Sequence, residues 1–411
     1  MQVLAAGAKK QKVQYFSNID YPYASTWDKE TRKHVTFTLA NIHTSVANGI
    51  RRAIIGKVQT LGFRNEPHKF STISIEKNDT GYLNNQIISH RISMIPVNIS
   101  DIDKFDADDH LFMLDISNDT NVIKLVTTEH FKIKRINSNT FLSEKETRAI
   151  FPPDKLTGHF IPIAKLKPKY HTNVGGHDAQ TMTAIGESIK IPVSEPITLR
   201  LTAKLVRSNG DENGLFSPVA VSAYGYTIDK ERVAAAEQAY IDAQNAETTK
   251  YGLTQIPEDK LRRRFKINQI QRVYKVNEAQ EPDSFDFRIE SIGVIPPLIC
   301  VERGIRWGID SIMRFIANLR SGNIKEVNVK PLPHLGNGFE IEVNNEDDTL
   351  GNMIHSWLNR EYADYSLENR VLESVTYHKP HPLEKRIIFT IKPIDEPDYM
   401  SVVQGTVIKG C

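Results

Sequence analysis

The sequence predicts an α+β protein in which two similar strand–helix units flank a long, β-rich middle section. Three observations carry that expectation. An alternating apolar run followed directly by a helical stripe occurs at 34–60 and again at 339–360. From about 62 to 282, short β-like runs such as Ile73–Glu76, Ile123–Val126, Ile189–Val193 and Ile197–Lys204 are separated by polar turns, among them NDTG and SNGDENG. Hydrophobic residues make up 40% and charged residues 25% of the 411, ordinary values for a globular protein with room for two or three domains.

Taken in order, the first strand is His34–Leu39, where Val35, Phe37 and Leu39 alternate with polar neighbours. A helix follows from about Thr44, with Thr44 or Ser45 as its cap. Val46, Ile50, Ala53, Ile54 and Val58 trace one face, and Arg51, Arg52 and Lys57 lie on the other. Within the middle section, the alanine-rich Asp229–Thr249 reads as a mostly solvated helix, and 128–188 is the least regular stretch. Phe285, Phe287, Ile289 and Ser291 share one face of a further strand. Pro296–Pro297 then open a helix reaching about Leu319, with Ile305, Ile309, Ile312, Met313 and Ile316 as its expected stripe. In the last segment Phe339, Ile341 and Val343 alternate. Leu350, Met353, Ile354, Trp357 and Leu358 follow at i, i+3, i+4, i+7 and i+8, with Asp347–Thr349 at the helix start. A final strand is expected at Arg386–Ile391.

Each strand–helix unit offers an apolar face that its own neighbouring chain is too short to cover. Burying five such side chains is worth on the order of 10 kcal/mol before entropy is subtracted. The economical solution is for the two units to pack on each other as an internal pseudo-dimer.

Composition narrows the function. Lys and Arg number 52 against 50 Asp and Glu, a net charge of +2, whereas a protein living on phosphate contacts is usually far more basic. The two cysteines, Cys300 and Cys411, cannot make a disulfide framework or a cysteine-based zinc site. The start of the chain holds no signal-like apolar run, and the longest apolar stretch, Ile292–Val301, is interrupted by Pro296 and Pro297. A soluble, intracellular protein with no membrane contact is the expectation.

Six motifs, in order along the chain, resemble the α-like assembly subunits of multisubunit DNA-directed RNA polymerases. Four are similar to the larger partner, the eukaryotic third or archaeal D subunit. They are Asn48-Gly49-Ile50-Arg51-Arg52 with Val58 and Thr60; Ile75–Thr80 followed by Gln86–Val97; Phe216-Ser217-Pro218-Val219; and Phe285–Gly293. The other two, Asn345–Asn352 and Tyr377–Glu384, resemble the smaller partner, the eukaryotic eleventh or archaeal L subunit. Together they cover roughly half the chain, and a fused pair is similar to polymerases of large cytoplasmic DNA viruses.

The resemblance implies an α-like dimerisation domain at 1–62 and 283–325, an insert domain at 63–282 and a smaller α-like half at 335–411, and Pro331 and Pro333, then Gly336 and Gly338, mark the linker placed at 326–334. It implies a scaffold that grips the two largest polymerase subunits and a small subunit, meets DNA and RNA only through the complex, and has no active site. Arg51, Arg52, His90, Arg91 and Glu290 become the expected subunit interface. Ile50, Ile54, Val58, Leu350, Met353, Ile354, Trp357 and Leu358 become the expected pseudo-dimer seam. The setting would be the host cytoplasm and virion for a viral protein, the nucleus otherwise. Many larger partners carry a cysteine cluster in the insert, but 62–282 here has no cysteine, so no metal or cofactor is expected. Asp348 stands where the smaller partner usually has His.

Other readings of the same residues are blander. His378 and His381 are spaced as metal ligands, but Pro380 and Pro382 favour a turn. His171 and His177 around Gly175–Gly176 lack the ending of a phosphate loop. His90-Arg91 as a base beside an anion clamp is weaker than a subunit-contacting helix. Lys165, Lys167, Lys169 and Arg262–Arg264 read as solvated charge, and Trp357 as core or seam. A free-standing nucleic-acid-binding protein is the alternative function, and an enzyme ranks third because no nucleophile–base–orienter set is legible.

Overall fold

The computed structural model describes residues 15–22, 33–120, 122–168, 182–184, 187–189, 196–332, 335–368 and 370–394. His171, His177, Lys169 and Cys411, noted above, lie outside them. The chain begins with β1 (Phe16–Asp20), β2 (His34–Ala40), α1 (Thr44–Gly56), β3 (Gln59–Phe63), β4 (Ile73–Asn78) and α2 (Asn85–Ser93). Next come β5 (His110–Asn118), β6 (Lys124–Thr127), β7 (Lys132–Arg135), β8 (Thr140–Phe141), α3 (Glu144–Ile150) and β9 (Pro162–Leu166). A short hairpin, β10 (Met182–Ala184) and β11 (Glu187–Ile189), precedes β12 (Ile197–Ala203), β13 (Leu205–Asn209) and β14 (Val219–Tyr226). The remainder is α4 (Lys230–Lys250), α5 (Glu258–Asn268), β15 (Ser284–Ser291), α6 (Pro297–Ser321), β16 (Val327–Pro331), β17 (Phe339–Asn344), α7 (Asp348–Leu358), β18 (Leu372–His378) and β19 (Arg386–Pro393).

Two compact units result. One comprises 1–57, 219–291 and 297–411; the other comprises 58–218 and 292–296. The first holds two four-stranded antiparallel sheets with strand orders β1-β2-β15-β14 and β16-β17-β19-β18. These orders are the same topology. In each, an edge strand pairs with the strand that leads into a helix, and that strand pairs with the last strand, whose other neighbour is the strand before it. The helix after the second strand is α1 in one case and α7 in the other.

Alternation explains both sheets. Val35, Phe37 and Leu39 on β2 are at most 3% exposed, and Phe37 stacks on Phe287 of β15 with ring centres 5.1 Å apart. Phe339, Ile341 and Val343 on β17, with Ile387, Phe389 and Ile391 on β19, form a second core roofed by α7 and the C-terminal half of α6. The stretch 326–334, expected as a linker, instead contains β16, an edge strand paired with β17 from Val327 to Pro331. Proline is tolerated there because an edge strand leaves one row of N–H groups unused.

The second unit has a five-stranded sheet, β4-β12-β5-β7-β8, and the pairs β3–β13 and β6–β9. Its core gathers Phe63, Phe112, Phe131 and Phe151 with Leu114, Leu199, Leu201 and the α2 residues Ile88 and Ile92. The irregular texture of 128–188 conceals β7, β8, α3 and β9. They are short, and α3 is stabilised by a reciprocal capping box between Ser143 and Glu146. The helix α4 is solvated as its composition suggests, burying only Ile241 and Thr248, but it and β14 group with the first unit rather than with the insert. The reason is that β14 pairs with β15 along nearly its whole length.

Candidate subunit-interaction site

The first unit converges on α1. This helix packs against β14, α6 and α7, so residues some 170 to 300 positions away meet it. Its N-cap is neither Thr44 nor Ser45 but His43, whose ring nitrogen accepts from the Ser45 amide. Two glycines set the helix approaches. A Cβ on Gly304 of α6 would lie 2.9 Å from Ile54 Cγ1 and 3.3 Å from the Ile54 backbone nitrogen. One on Gly49 would lie 2.4 Å from Met353 Sδ of α7. Between the three helices runs an apolar groove of about 250 Å³ walled by Val46, Ile50, Ile312, Met353 and Trp357.

The residues expected on the seam divide. Ile54 is fully buried under Gly304, and Ile50, Met353 and Trp357 line the groove, with Ile354 at its floor. Leu350 and Leu358 have no exposed surface and face the other way, into the core beneath their own sheet. A helix stripe wide enough for five apolar residues thus serves two partners. Because α1 stops at Gly56, Val58 lies beyond the helix, buried in the second unit rather than on the α1 face. The expected α6 stripe holds in part, with Ile316 buried and Ile305 and Ile312 half-buried. Ile309 and Met313 are 57% and 61% exposed, while Cys300, Val301, Gly304, Ser311 and Phe315 are buried. Close approach selects small residues, which a search for large apolar ones passes over.

Sequence reasoning missed the polar knot at the end of α1. Lys57 Nζ reaches Asp347 Oδ2 at 2.8 Å and sits 4.9 Å from the centre of the Trp307 ring. Asp347 is the N-cap of α7, accepting from the Thr349 amide at 2.9 Å. Burial alone would raise the Asp347 carboxyl, but Lys57 and the Thr349 amide outweigh it and hold the group below the usual aspartate range. Glu346 beside it is only 8% exposed, and burial pushes it up to about 7 against the opposing pull of Arg314, 3.4 Å away. The acidic run Glu346–Asp348 was the available signal, read in sequence as a cap and a family motif but not as a partner for Lys57.

A stability effect follows from Glu346. Its folded value lies above the unfolded value of 4.5, so ionisation disfavours the fold increasingly as pH rises from about 4.5 to about 7. Glu346→Gln should raise the melting temperature at about pH 8 and change it little at about pH 5. Thermal unfolding at the two pH values checks this.

The expected interface residues do not form one cluster in the first unit. Arg51 is half-buried, its Nε donating to Asn48 Oδ1 at 3.0 Å, while its carbonyl accepts from the Ser222 hydroxyl on β14. Arg52 is exposed and makes no hydrogen bond or ion pair among the described residues, although its charge is felt at Tyr377. Glu290 lies inside the sheet, paired with Arg288 and 3.7 Å from His34. His90 and Arg91 belong to the second unit, both exposed at the end of α2, where Arg91 donates to the Pro162 carbonyl at 3.0 Å.

Among the described residues, no group of three or more His, Cys, Asp or Glu is placed to hold a metal ion. His381 is held in a turn, accepting from the Leu383 amide through Nδ1. Cys300 is buried, its thiol pushed up to about 12. No described helix is long and apolar enough to cross a membrane.

Known proteins similar to this chain are RNA polymerase subunits. A 307-residue stretch is 23% identical to "DNA-directed RNA polymerases I and III subunit RPAC1" of Homo sapiens, spanning 69% of this chain and 80% of that protein. A 74-residue stretch is 34% identical to "DNA-directed RNA polymerase subunit Rpo3" of Pyrococcus furiosus, covering 18% of this chain and 25% of that one. Residues 36–309, two thirds of the chain, match the RNA polymerase Rpb3/Rpb11 dimerisation domain, and the chain belongs to that family.

Proposed function

We propose that the chain is a non-catalytic assembly subunit of a multisubunit DNA-directed RNA polymerase, with its two α-like halves paired internally and the outer edge of α1 docking the largest subunits. The single observation that carries this is α1 itself. It lies within the family match, its other sides are consumed by β14, α6 and α7, and its Arg51–Arg52 edge leaves Arg51 half-buried and Arg52 exposed and unpaired among the described residues.

The repeated topology of the two sheets supports an internal pseudo-dimer, since each sheet places a helix where the other's helix can cover it. Joining the halves in one polypeptide keeps them at a local concentration of about millimolar, so pairing needs no separate encounter. Arginine suits the docking role because its planar fork binds carboxylates bidentately and tolerates interface burial. His90, Arg91 and Glu290 are proposed as further contacts, and a small polymerase subunit as a third partner. Fusion of the halves supports a large DNA virus as the source, acting in the host cytoplasm and virion.

The test is affinity capture of the tagged full chain from its native source. Wild type should bring down the two largest polymerase subunits, whereas Arg51→Glu with Arg52→Glu should lower their recovery about thirtyfold, the effect of ~2 kcal/mol. Unchanged circular dichroism would show the fold intact, and undiminished recovery would overturn the docking face.

A further inference from the structure

We propose that the outer face of α5 binds the phosphate backbone of a nucleic-acid duplex through Lys260, Arg263 and Arg264. This differs from the expectation that DNA and RNA are met only through the complex.

Charge is concentrated here. Between Glu258 and Lys275 the chain places seven Lys and Arg against two carboxylates, net +5 in eighteen residues. The whole chain nets only +2, so everything outside this segment is net acidic. A near-neutral total hides one strongly cationic stretch.

Read along the sequence, Arg262–Arg264 is solvated charge, but the fold divides it. Leu261 and Phe265 form the buried face of α5, 1% and 2% exposed, and the Phe265 ring lies 5.8 Å from that of Tyr240 on α4. Arg262 flanks that face, reaching Glu237 of α4 at 3.6 Å and pairing with Glu258 one turn back. At about 3.6 residues per turn, Lys260, Arg263, Arg264 and Ile267 share a different side of the helix, at i, i+3, i+4 and i+7. All four are exposed.

Lys260, Arg263 and Arg264 make no hydrogen bond or ion pair among the described residues. Other exposed arginines, such as Arg148, Arg200 and Arg207, each hold a carboxylate. The first-turn acids do not neutralise the face, since Glu258 is taken by Arg262 and Asp259 makes no ion pair among the described residues. Nor is the arm needed for packing. The helix α4 buries only Ile241 and Thr248, and α5 only Leu261 and Phe265.

Neighbouring side chains on such a face stand about 5–6 Å apart at Cβ, and each strand of a duplex carries a phosphate per ~3.4 Å of axis. Long cationic side chains therefore reach adjacent phosphates, which the arginine fork grips bidentately. An acidic protein surface is the rival partner. Protein interfaces bury an apolar core, however, and this face offers only Ile267.

Fluorescence anisotropy of the full chain with a labelled DNA duplex of about 20 base pairs tests this. Three phosphate contacts give a logarithmic salt slope of about −2.7, so raising salt from about 50 to about 200 mM should weaken binding about fortyfold. Lys260→Gln with Arg263→Gln and Arg264→Gln keeps good helix formers at exposed positions, so circular dichroism should not change. That variant should bind at least about tenfold more weakly at the lower salt and flatten the slope by about 2.7. Lys165→Gln with Lys167→Gln, in the second unit, should bind as wild type does. No saturable binding by the wild type, wild-type affinity in the α5 variant, or an equal loss in the second-unit variant would overturn the site. Tighter binding of a glutamate-rich peptide than of the duplex would overturn it in favour of a protein partner. The same duplex made as RNA separates the two sources, the tighter binder being the one assigned.

Discussion

Lys57→Glu should destabilise the folded chain by about 3 kcal/mol, measured as a lower urea midpoint at unchanged slope. The Lys57 ammonium is largely enclosed, with 15% of its side chain exposed, and faces an Asp347 that is 21% exposed. Removing one partner of such a pair leaves the other carboxylate buried without compensation, and the new glutamate adds a third negative charge beside Asp347 and Glu346. The cation–π contact with Trp307 is lost as well. Asp347→Asn should cost less, because the amide oxygen still caps α7 through the Thr349 amide. A Lys57→Glu midpoint equal to wild type would show that the bridge contributes nothing. The stabilisation has a defined pH window. The Asp347 carboxyl is depressed in the fold, so its contribution is present above the unfolded value of 3.8 and is lost as pH falls through the folded value.

Gly304 and Gly308, one turn apart on the same helix, should respond to substitution with opposite signs. Gly304→Leu is expected to cost about 3 kcal/mol, because the first added carbon already meets the Ile54 side chain and backbone nitrogen of α1 and the rest of the side chain has nowhere to go. Gly308→Ala should instead stabilise by about 0.5–1 kcal/mol. Nothing lies within 4 Å of a Cβ there, so the helix gains the rigidity of alanine without a clash. Both variants can be read from the same denaturation series. A Gly304→Leu protein as stable as wild type would mean that α1 and α6 do not approach as closely as Ile54 and Gly304 indicate.

Much of the fold was legible because it is local. β2, β15, β17 and β19 follow from alternation, and α1, α4 and α7 from periodicity and capping residues, properties of a few consecutive positions. The candidate site was legible only in part. The motif Asn48–Arg52 named the helix, but its sequence did not say that Arg51 would be half-buried beside Ser222 while Arg52 stayed exposed. Misreadings share a cause. The α6 stripe was assigned by residue size, which found Ile316 but passed over Gly304 and Ser311 on the packed face. The stretch at 326–334 was read as a linker from its prolines, whereas Val327–Pro331 finds its partners eight to sixteen residues later in β17.

By itself the sequence determined the α+β class, the strands and helices with clear alternation or periodicity, and the relationship to the Rpb3/Rpb11 dimerisation family, since each of these is written in residue type and spacing. Tertiary structure alone decided which side of each helix is covered. It also decided that two sheets repeat one topology and that Lys57 meets Asp347 across 290 positions. Those outcomes depend on which distant segments come together, and pattern along the chain specifies a residue's periodicity but not the partner that will cover it.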